Sequence, residues 1–173
     1  MIDQPVMIIT GTRKGIGKNL AEYYTQNGFI VIGCSRGNID FELNNYEHYC
    51  LDVSDESLVK KMFKEIRKKC GRLDVLINNA GVASANHVLL TPLKEAHDSL
   101  NTNFIGTFIF CRESVKLMKM NQHGRIINIS SIHVPLALAG TSIYSSSKAA
   151  IEQFSRVLAR EVFQFGITIN IYL

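Results

Sequence analysis

A fully apolar run, Val6-Met7-Ile8-Ile9, breaks at Thr10-Gly11 and passes through a glycine-rich loop into an amphipathic stretch. This junction constrains the fold more than any other feature of the chain. A strand that is apolar at every position must be covered on both faces, because no alternation toward water is present. The stretch that follows, from Gly15 to Asn27, carries Ile16, Leu20, Tyr23 and Tyr24 at helical spacing and stops at Gly28. That pattern predicts a helix closed by a glycine at its C-terminus.

The alternation continues to the end of the chain. Phe29-Ile30-Val31-Ile32 predicts a second strand and Tyr49-Cys50-Leu51 a third. Asp55 to Cys70 predicts a helix with Leu58, Met62, Phe63 and Ile66 on its inner face, and Asp74-Val75-Leu76-Ile77 a fourth strand. Helical spacing then runs from about Leu93 to Met120, with a break near Leu100-Asn101. A fifth strand at Arg125 to Ile129, a long helix over Ser145 to Phe165 and a sixth strand at Ile167 to Leu173 complete the pattern. Strands and helices joined by short connections make a parallel sheet covered on both faces. Right-handed crossovers and the glycine loop after the first strand favour the doubly wound order 3-2-1-4-5-6. The expected architecture is α/β: a three-layer Rossmann fold in a single domain over residues 1–173.

Composition removes other classes. Hydrophobic residues make up 46% of the chain and charged residues 20%, which excludes a disordered tail or a collagen-like rod. No apolar run approaches the roughly 18 residues of a membrane span. Met1-Ile2-Asp3-Gln4-Pro5 is too short and too acidic for a signal peptide, so a cytoplasmic protein with no membrane partner is expected. Cys34, Cys50, Cys70 and Cys111 lie far apart with no Cys-x-x-Cys, the pattern of reduced, mostly buried thiols. His87, His97, His123 and His133 lack partners at metal-ligand spacing, so no metal is expected. His133 lies near enough to Ser131 to touch a substrate, although a solvated loop histidine is the plainer reading. The net charge of +4 concentrates only at Lys60-Lys61 and Arg67-Lys68-Lys69, in one amphipathic stretch. Nucleic acid is therefore not an expected partner, whereas an anionic small molecule is.

Within Thr10-Gly11-Thr12-Arg13-Lys14-Gly15-Ile16-Gly17 each glycine has its own task. Gly11 allows a tight turn, Gly15 lets backbone approach a pyrophosphate at the helix N-terminus, and Gly17 lets the helix pack close to the sheet. With 12 glycines in the chain, G-x-x-x-G-x-G arises about 0.06 times by chance, so its place between strand and helix gives it meaning. A G-x-x-x-x-G-K-S/T loop is absent, which removes the main support for an NTPase. Dinucleotide binding is favoured over a merely structural turn.

Further motifs follow in order. Asn78-Asn79-Ala80-Gly81 comes after the fourth strand, and Asn103-Phe104-Ile105-Gly106 opens the next long helix. Ser130-Ser131 ends the fifth strand, and Tyr144-Ser145-Ser146-Ser147-Lys148 begins the last helix. Together with the T-G-x-x-x-G-I-G loop, these motifs resemble the short-chain dehydrogenase/reductase family over essentially the whole chain. The 3-oxoacyl-(acyl carrier protein) reductases are the nearest type. Y-x-x-x-K alone arises about 0.4 times by chance; Ser131, thirteen residues before Tyr144 and beyond a buried strand, gives it weight.

Tyr144 and Lys148 stand one helical turn apart on one face. An ammonium beside a phenol favours the phenolate, the tuning that a general acid/base needs. Ser131, at a strand end, falls on the carboxyl edge of the sheet, where ligands of open α/β sheets bind. The resemblance implies that Ser131 hydrogen-bonds the substrate oxygen, that Tyr144 transfers the proton, and that Lys148 also holds the nicotinamide ribose. It implies that Asn103 supports a water linking Lys148 to solvent. The implied activity is NAD(P)-dependent reduction of a carbonyl to a secondary alcohol, or the reverse. The implied assembly is a homodimer or homotetramer through the two long helices, whose outward faces carry Phe104, Phe108, Phe154 and Phe165.

An NAD site carries Asp or Glu at the end of the second strand to grip the ribose 2′-hydroxyl. Here the chain reads Ile32-Gly33-Cys34-Ser35-Arg36, with no carboxylate before Asp40. A hydroxyl followed by a guanidinium suits a 2′-phosphate instead, and Arg13 and Lys14 add charge on the same side. NADP(H) is therefore expected in preference to NAD(H). Asp52-Val53 matches the adenine-contacting pair of the family, and Asn79, Ala80 and Gly81 would line the adenine ribose. The expected cofactor contacts are thus Gly11, Arg13, Lys14, Gly15, Ile16, Gly17, Ser35, Arg36, Asp52, Val53, Asn79, Ala80 and Gly81, with Tyr144 and Lys148.

The sequence stops at Asn170-Ile171-Tyr172-Leu173, where the N-x-x-x-P-G of the family would place its Pro-Gly. Set beside the family, it lacks that turn, the substrate-covering loop and helix, and a seventh strand. Two expectations follow: a substrate pocket open to water and weak in catalysis, and a sixth strand whose Ile167, Ile169 and Ile171 form an exposed apolar edge. The alternative function is a non-catalytic dinucleotide-binding protein that acts as a partner of full-length relatives.

Overall fold

β1 (Val6–Thr10) is buried at all five positions and sits in the middle of the sheet, as an uninterrupted apolar run requires. The computed structural model describes residues 4–173; Met1-Ile2-Asp3, on which the reading of the N-terminal segment partly rests, lie outside the described residues. The other strands are β2 (Ile30–Ser35), β3 (Tyr46–Cys50), β4 (Val75–Asn78), β5 (Gly124–Ile129) and β6 (Ile167–Tyr172). The order is β3-β2-β1-β4-β5-β6, with every pairing parallel. Ile8, for example, is in register with Ile32 on one side and Leu76 on the other. This is the expected doubly wound order.

The pleat of β1 divides the interior into two layers. Val6 and Ile8 join a core with Phe63 of α2 (Glu56–Cys70), Phe110 of α4 (Gly106–Met118) and Leu158 of α6 (Ser142–Val162). Met7 and Ile9 join a smaller core with Val31, Ile77 and Ala21 of α1 (Gly15–Gln26). Apolar periodicity located these helices and most of their inner faces: Leu20 and Tyr24 of α1 and Met62, Phe63 and Ile66 of α2 lie on the core, whereas Ile16, Tyr23 and Leu58 do not. In α1 the buried residues are Gly17 and Ala21, while Ile16 and Tyr23 are exposed. The helix start lies so close to the sheet that only glycine fits at position 17, with Leu20 and Tyr24 packing on the core further along. In α2, Asp55 caps the N-terminus by accepting from the backbone of Ser57 and Leu58. The buried stripe is then Val59, Met62, Phe63 and Ile66, and Leu58, expected inside, turns outward.

Several strands begin or end beyond the predicted limits. β2 continues through Gly33-Cys34-Ser35, and β3 starts three residues early at Tyr46, because the two pair residue for residue from Val31–Tyr46 to Ser35–Cys50. The break near residue 100 is a π-helical turn, Asn101–Ile105, that joins α3 (Leu93–Leu100) to α4 without interrupting the helix. A short helix that the sequence reading did not anticipate, α5 (His133–Leu136), lies between β5 and α6. Phe104 and Phe108 pack edge-on against Phe154 within the chain, so core packing accounts for part of their apolar character.

β6 pairs with β5 and forms one edge of the sheet. Ile167 is buried and Ile169 packs on the core, while Thr168, Asn170 and Tyr172 face water. Ile167 and Ile169 of this edge therefore turn inward and Ile171 is half-buried, so the strand does not present the fully exposed apolar row expected. All four cysteines are free; Cys34 and Cys111 are buried, but Cys70 is only half-buried and Cys50 is exposed. Among the described residues no helix is long and apolar enough to cross a membrane.

The phase of α2 is directly testable. Met62→Ala is expected to lower stability by about 2–5 kcal/mol, because it empties a fully buried site. Leu58→Ala is expected to change it by no more than about 1 kcal/mol. Urea unfolding of the two variants measures the contrast, and equal losses would contradict this helix phase.

Candidate active site

The strand order reverses between β1 and β4, and a doubly wound sheet opens a crevice at such a point, beyond the carboxyl ends of its strands. Thr10 and Asn79 close the floor of that crevice. Thr10 Oγ1 accepts from the backbone N–H groups of Asn79 (3.0 Å) and Ala80 (2.9 Å), and Asn79 Nδ2 donates to the Thr10 carbonyl at 2.9 Å. The glycine loop hangs from β2, with the N–H groups of Gly11 and Thr12 both donating to the Cys34 carbonyl. Gly11 has φ +77°, and a Cβ there would stand 2.9 Å from the Ala80 Cα. A Cβ on Gly17 would stand 2.3 Å from the Gly11 carbonyl oxygen, so α1 cannot approach this closely with any other residue.

The resulting cleft has a volume of about 610 Å³. It is lined by Gly11, Arg13, Lys14, Gly15, Ile16, Ser35, Arg36, Asp52, Val53, Asn79, Ala80 and Gly81, each singled out in the sequence; Gly17 is buried at the start of α1. The exposure of Ile16, unexplained as core, is accounted for by its place on this wall. Gly37, Leu51, Val82 and Thr102 also line the cleft and were missed. Each of the four adjoins a residue already named, so proximity in sequence was their only signal.

Two positions differ in detail from expectation. The Ser35 hydroxyl donates to the Gly37 carbonyl at 2.7 Å and lies 3.0 Å from His48 Nε2, so it shapes a turn rather than pointing a free O–H into the cleft. Arg13 lies across Gly37, where a Cβ would come within 2.8 Å of its Nη1. Arg13 and Arg36 thus share one rim. Asp52 Oδ1 accepts from the backbone N–H (2.9 Å) and hydroxyl (2.7 Å) of Ser54, which fixes the carboxylate.

The second group of residues gathers where α6 crosses the end of β5. Tyr144 is in the first turn of α6, and Lys148 Nζ lies 6.0 Å from the centre of its ring. Lys148 is buried and donates to the Ile129 carbonyl at 2.8 Å. Burial without a countercharge brings its pKa down to about 8. Asn103 is fully buried in the π turn. Its amide donates to the Val82 carbonyl (2.9 Å) and Ser147 Oγ (2.9 Å), and its Oδ1 accepts from the Val82 N–H (2.8 Å). A Cβ on Gly81 would stand 3.2 Å from Asn103 Oδ1 and 3.5 Å from Lys148 Nζ, so these two groups meet over a bare backbone.

Ser131 follows β5 and accepts from the His133 N–H at 3.2 Å, while the His133 carbonyl accepts from Ser145 Oγ at 3.2 Å. Its ring sits edge-on to Tyr144, with centres 5.7 Å apart. His133 is therefore not a solvated loop residue: its Nδ1 is buried and has no hydrogen-bond partner among the described residues.

A glycine-walled cleft at the switch point of a parallel sheet defines a nucleotide-binding α/β protein of the Rossmann class. Within that class the chain belongs to the short-chain dehydrogenase/reductase family: the short chain dehydrogenase model matches residues 5–173. It is 35% identical over 164 residues to 3-ketodihydrosphingosine reductase of Bacteroides thetaiotaomicron, covering 95% of this chain and 61% of that protein. It is 31% identical over 172 residues to the 3-oxoacyl-(acyl-carrier-protein) reductase FabG of Escherichia coli K12, covering 96% of this chain and 70% of FabG. The solved structure of ElxO with NADP bound superposes with a TM-score of 0.91 at 34% identity, over 97% of this chain and 72% of that one. The chain thus spans less than two thirds of the length of the Bacteroides relative.

The depressed pKa of Lys148 has a definite sign in stability. Below about pH 8 the lysine is charged in both the folded and unfolded states, and the folded state carries the desolvation penalty. Between about pH 8 and the ordinary lysine value near 10.4, only the unfolded chain holds the proton, so folding gains as pH rises. The stability of the chain minus that of Lys148→Met is expected to increase by on the order of 2 kcal/mol from pH 7 to pH 10. Urea unfolding at the two pH values checks this, and a flat or falling difference contradicts it.

Proposed function

We propose that this chain binds NADP(H) in the glycine-walled cleft and interconverts a carbonyl compound and a secondary alcohol, with Tyr144 as general acid/base. The observation that carries the reading is the meeting of Lys148 and Asn103 beside Gly81, which also lines that cleft, with the Tyr144 ring 6.0 Å from Lys148 Nζ. The residues fit a dinucleotide. Gly11 and Gly17 make a cradle that any Cβ would fill, and the start of α1 presents unpaired backbone N–H groups where a pyrophosphate would lie. Once bound, the cofactor supplies the hydride.

The protein residues then divide the remaining work. Arg36 and Arg13 pair with the 2′-phosphate, and Asp52, held through one oxygen by Ser54, accepts from the adenine amine. Gly15 and Ile16 border the pyrophosphate, while Asn79, Ala80 and Gly81 line the adenine ribose. Ser131 donates to the substrate oxygen as negative charge develops there. Tyr144 gives that oxygen its proton, so carbonyl plus hydride plus proton makes the alcohol; oxidation runs the same steps backward. Lys148 steadies the phenolate and holds the nicotinamide ribose. Its pKa near 8 lets it exchange protons close to neutral pH. Asn103 holds the Gly81-Val82 segment against α6 and supports a water that links the buried Lys148 to solvent.

Both relatives named above are reductases of a 3-oxo or 3-keto group, which supports a ketone as the substrate class. A homodimer or homotetramer through the outer faces of α4 and α6 belongs to the same reading. Exposed Val157 near the end of α6 and Phe163 just beyond it support it. Four free thiols suit the reducing cytoplasm.

Fluorescence titration with NADPH and with NADH tests the cofactor assignment: NADPH is expected to bind more tightly, and Arg36→Ala to weaken it by about tenfold. Assay against a panel of ketones tests the chemistry. Tyr144→Phe is expected to lower kcat by about 10²–10⁴-fold, a loss far larger than any change in NADPH affinity. Tight binding with no turnover of any ketone by the unmutated chain would favour the non-catalytic partner instead.

A further inference from the structure

Behind the basic rim of the cleft runs a chain of polar side chains that none of the proposed catalytic or binding roles uses. Thr12 Oγ1 lies 2.7 Å from the Tyr46 hydroxyl, which lies 2.8 Å from His48 Nδ1. On the other side of the ring, His48 Nε2 lies 3.0 Å from Ser35 Oγ and 3.3 Å from the Gly37 carbonyl. Thr12 is fully buried, and Tyr46 and His48 are half-buried on β3.

The partners dictate where the protons sit. The Gly37 carbonyl can only accept, and the Ser35 hydroxyl donates its proton to that carbonyl at 2.7 Å. Nε2 must therefore carry the hydrogen and donate to Ser35 Oγ and Gly37 O. In the neutral ring Nδ1 is then an acceptor, so the Tyr46 hydroxyl donates to it and accepts in turn from Thr12. Every group in this sequence is satisfied when His48 is uncharged. Burial favours that state by lowering the His48 pKa.

The chain is built in rather than incidental, because β2 makes room for it. A Cβ on Gly33 would stand 2.0 Å from the Tyr46 hydroxyl and 2.4 Å from Thr12 Oγ1. A side chain at position 33 would expel the phenol. Its two ends are also informative. Thr12 precedes Arg13 in the glycine loop, and Ser35 and Gly37 flank Arg36 in the turn after β2. Arg13 in turn lies across Gly37. The relay thus ties together the two segments that carry the guanidinium groups of the rim.

We infer that Tyr46 and His48 are positioning residues for cofactor selectivity, holding the glycine loop and the Ser35–Gly37 turn at the separation that presents Arg13 and Arg36 to a 2′-phosphate. This rests on the NADP(H) reading above. Neither residue lines the cleft. They act by limiting the freedom of the turn before binding, so their effect falls on the phosphate-bearing dinucleotide and not on the one that lacks it.

Dissociation constants for NADPH and NADH, measured on the full chain and its variants, test the inference. His48→Ala and Tyr46→Phe are each expected to weaken NADPH roughly fivefold, the scale of one lost hydrogen bond, and to leave NADH within about twofold. Gly33→Ala, which displaces the phenol sterically, is expected to act likewise. His48→Gln places an amide nitrogen near the position of Nε2 and is expected to restore NADPH affinity. His48→Asn imitates Nδ1 instead and is expected not to. A thermal melt of each variant identifies the folded ones, and Tyr46→Phe, which keeps the ring, serves if His48→Ala does not fold. Equal weakening of both dinucleotides, or no change in either, overturns the inference. Failure of the cofactor reading shows separately, in the unmutated chain and in Arg36→Ala: no preference for NADPH there sinks that reading, and this inference falls with it.

Discussion

Everything in the candidate site depends on how closely α1 approaches the sheet. The Gly17 Cα lies over the Gly11 carbonyl at a distance that excludes even a methyl group. The approach brings the backbone N–H groups at the helix start over the carboxyl ends of β1 and β4, where the strand order reverses. It also leaves Ile16 on the cleft wall and places Arg13 and Lys14 on the rim. A helix held further from the sheet by a larger residue would move the basic residues of the loop away from the crevice. The Thr10–Asn79 hydrogen bonds hold the floor beneath it, so that the seam between the two halves of the sheet is both close and rigid.

A second polar seam sets the position of α6. Asn78 Nδ2 donates to Asn128 Oδ1, and Asn128 Nδ2 donates to Ser155 Oγ, each at 2.8 Å and each buried. Ser130 Oγ donates to Glu152 Oε1 at 2.7 Å. These side chains link β4, β5 and α6 in a single register, because an unpartnered polar group in such a place would be costly. With α6 locked two turns below, Tyr144 and Lys148 have little freedom to drift from the end of β5. Geometry at the site is thus inherited from hydrogen bonds in the core.

The strand order and the identity of most cleft residues were legible in the sequence, because both depend on strong local signals. A run apolar at every position, glycines at a strand-to-helix junction and a Tyr–Lys pair one turn apart hardly depend on what packs around them. Helix rotation was legible only in part: Met62, Phe63 and Ile66 of α2 lie inside as expected, but Leu58 does not. Leu58 and Val59 are equally apolar, and the Asp55 cap together with contact against α4 decided which one turned inward. Ser35 was legible as a polar residue at a strand end but not as the centre of a turn, since His48 reaches it from a neighbouring strand. His133 reads as a loop residue in sequence, but the contact of its ring with Tyr144 arises only when α5 folds back on α6.

By itself, the sequence determined the alternation of strands and helices, the position of the switch-point cleft and the chemical character of its walls. Those properties follow from hydrophobic period and from glycine, whose meaning is carried by one residue and its immediate neighbours. Only the tertiary structure decided which atoms meet: Arg13 over Gly37, Lys148 beside Asn103, and Tyr46 and His48 joining the loop to the turn. Such contacts bridge residues on separate elements, and their distances are set by the packing of whole strands and helices, which no local pattern encodes.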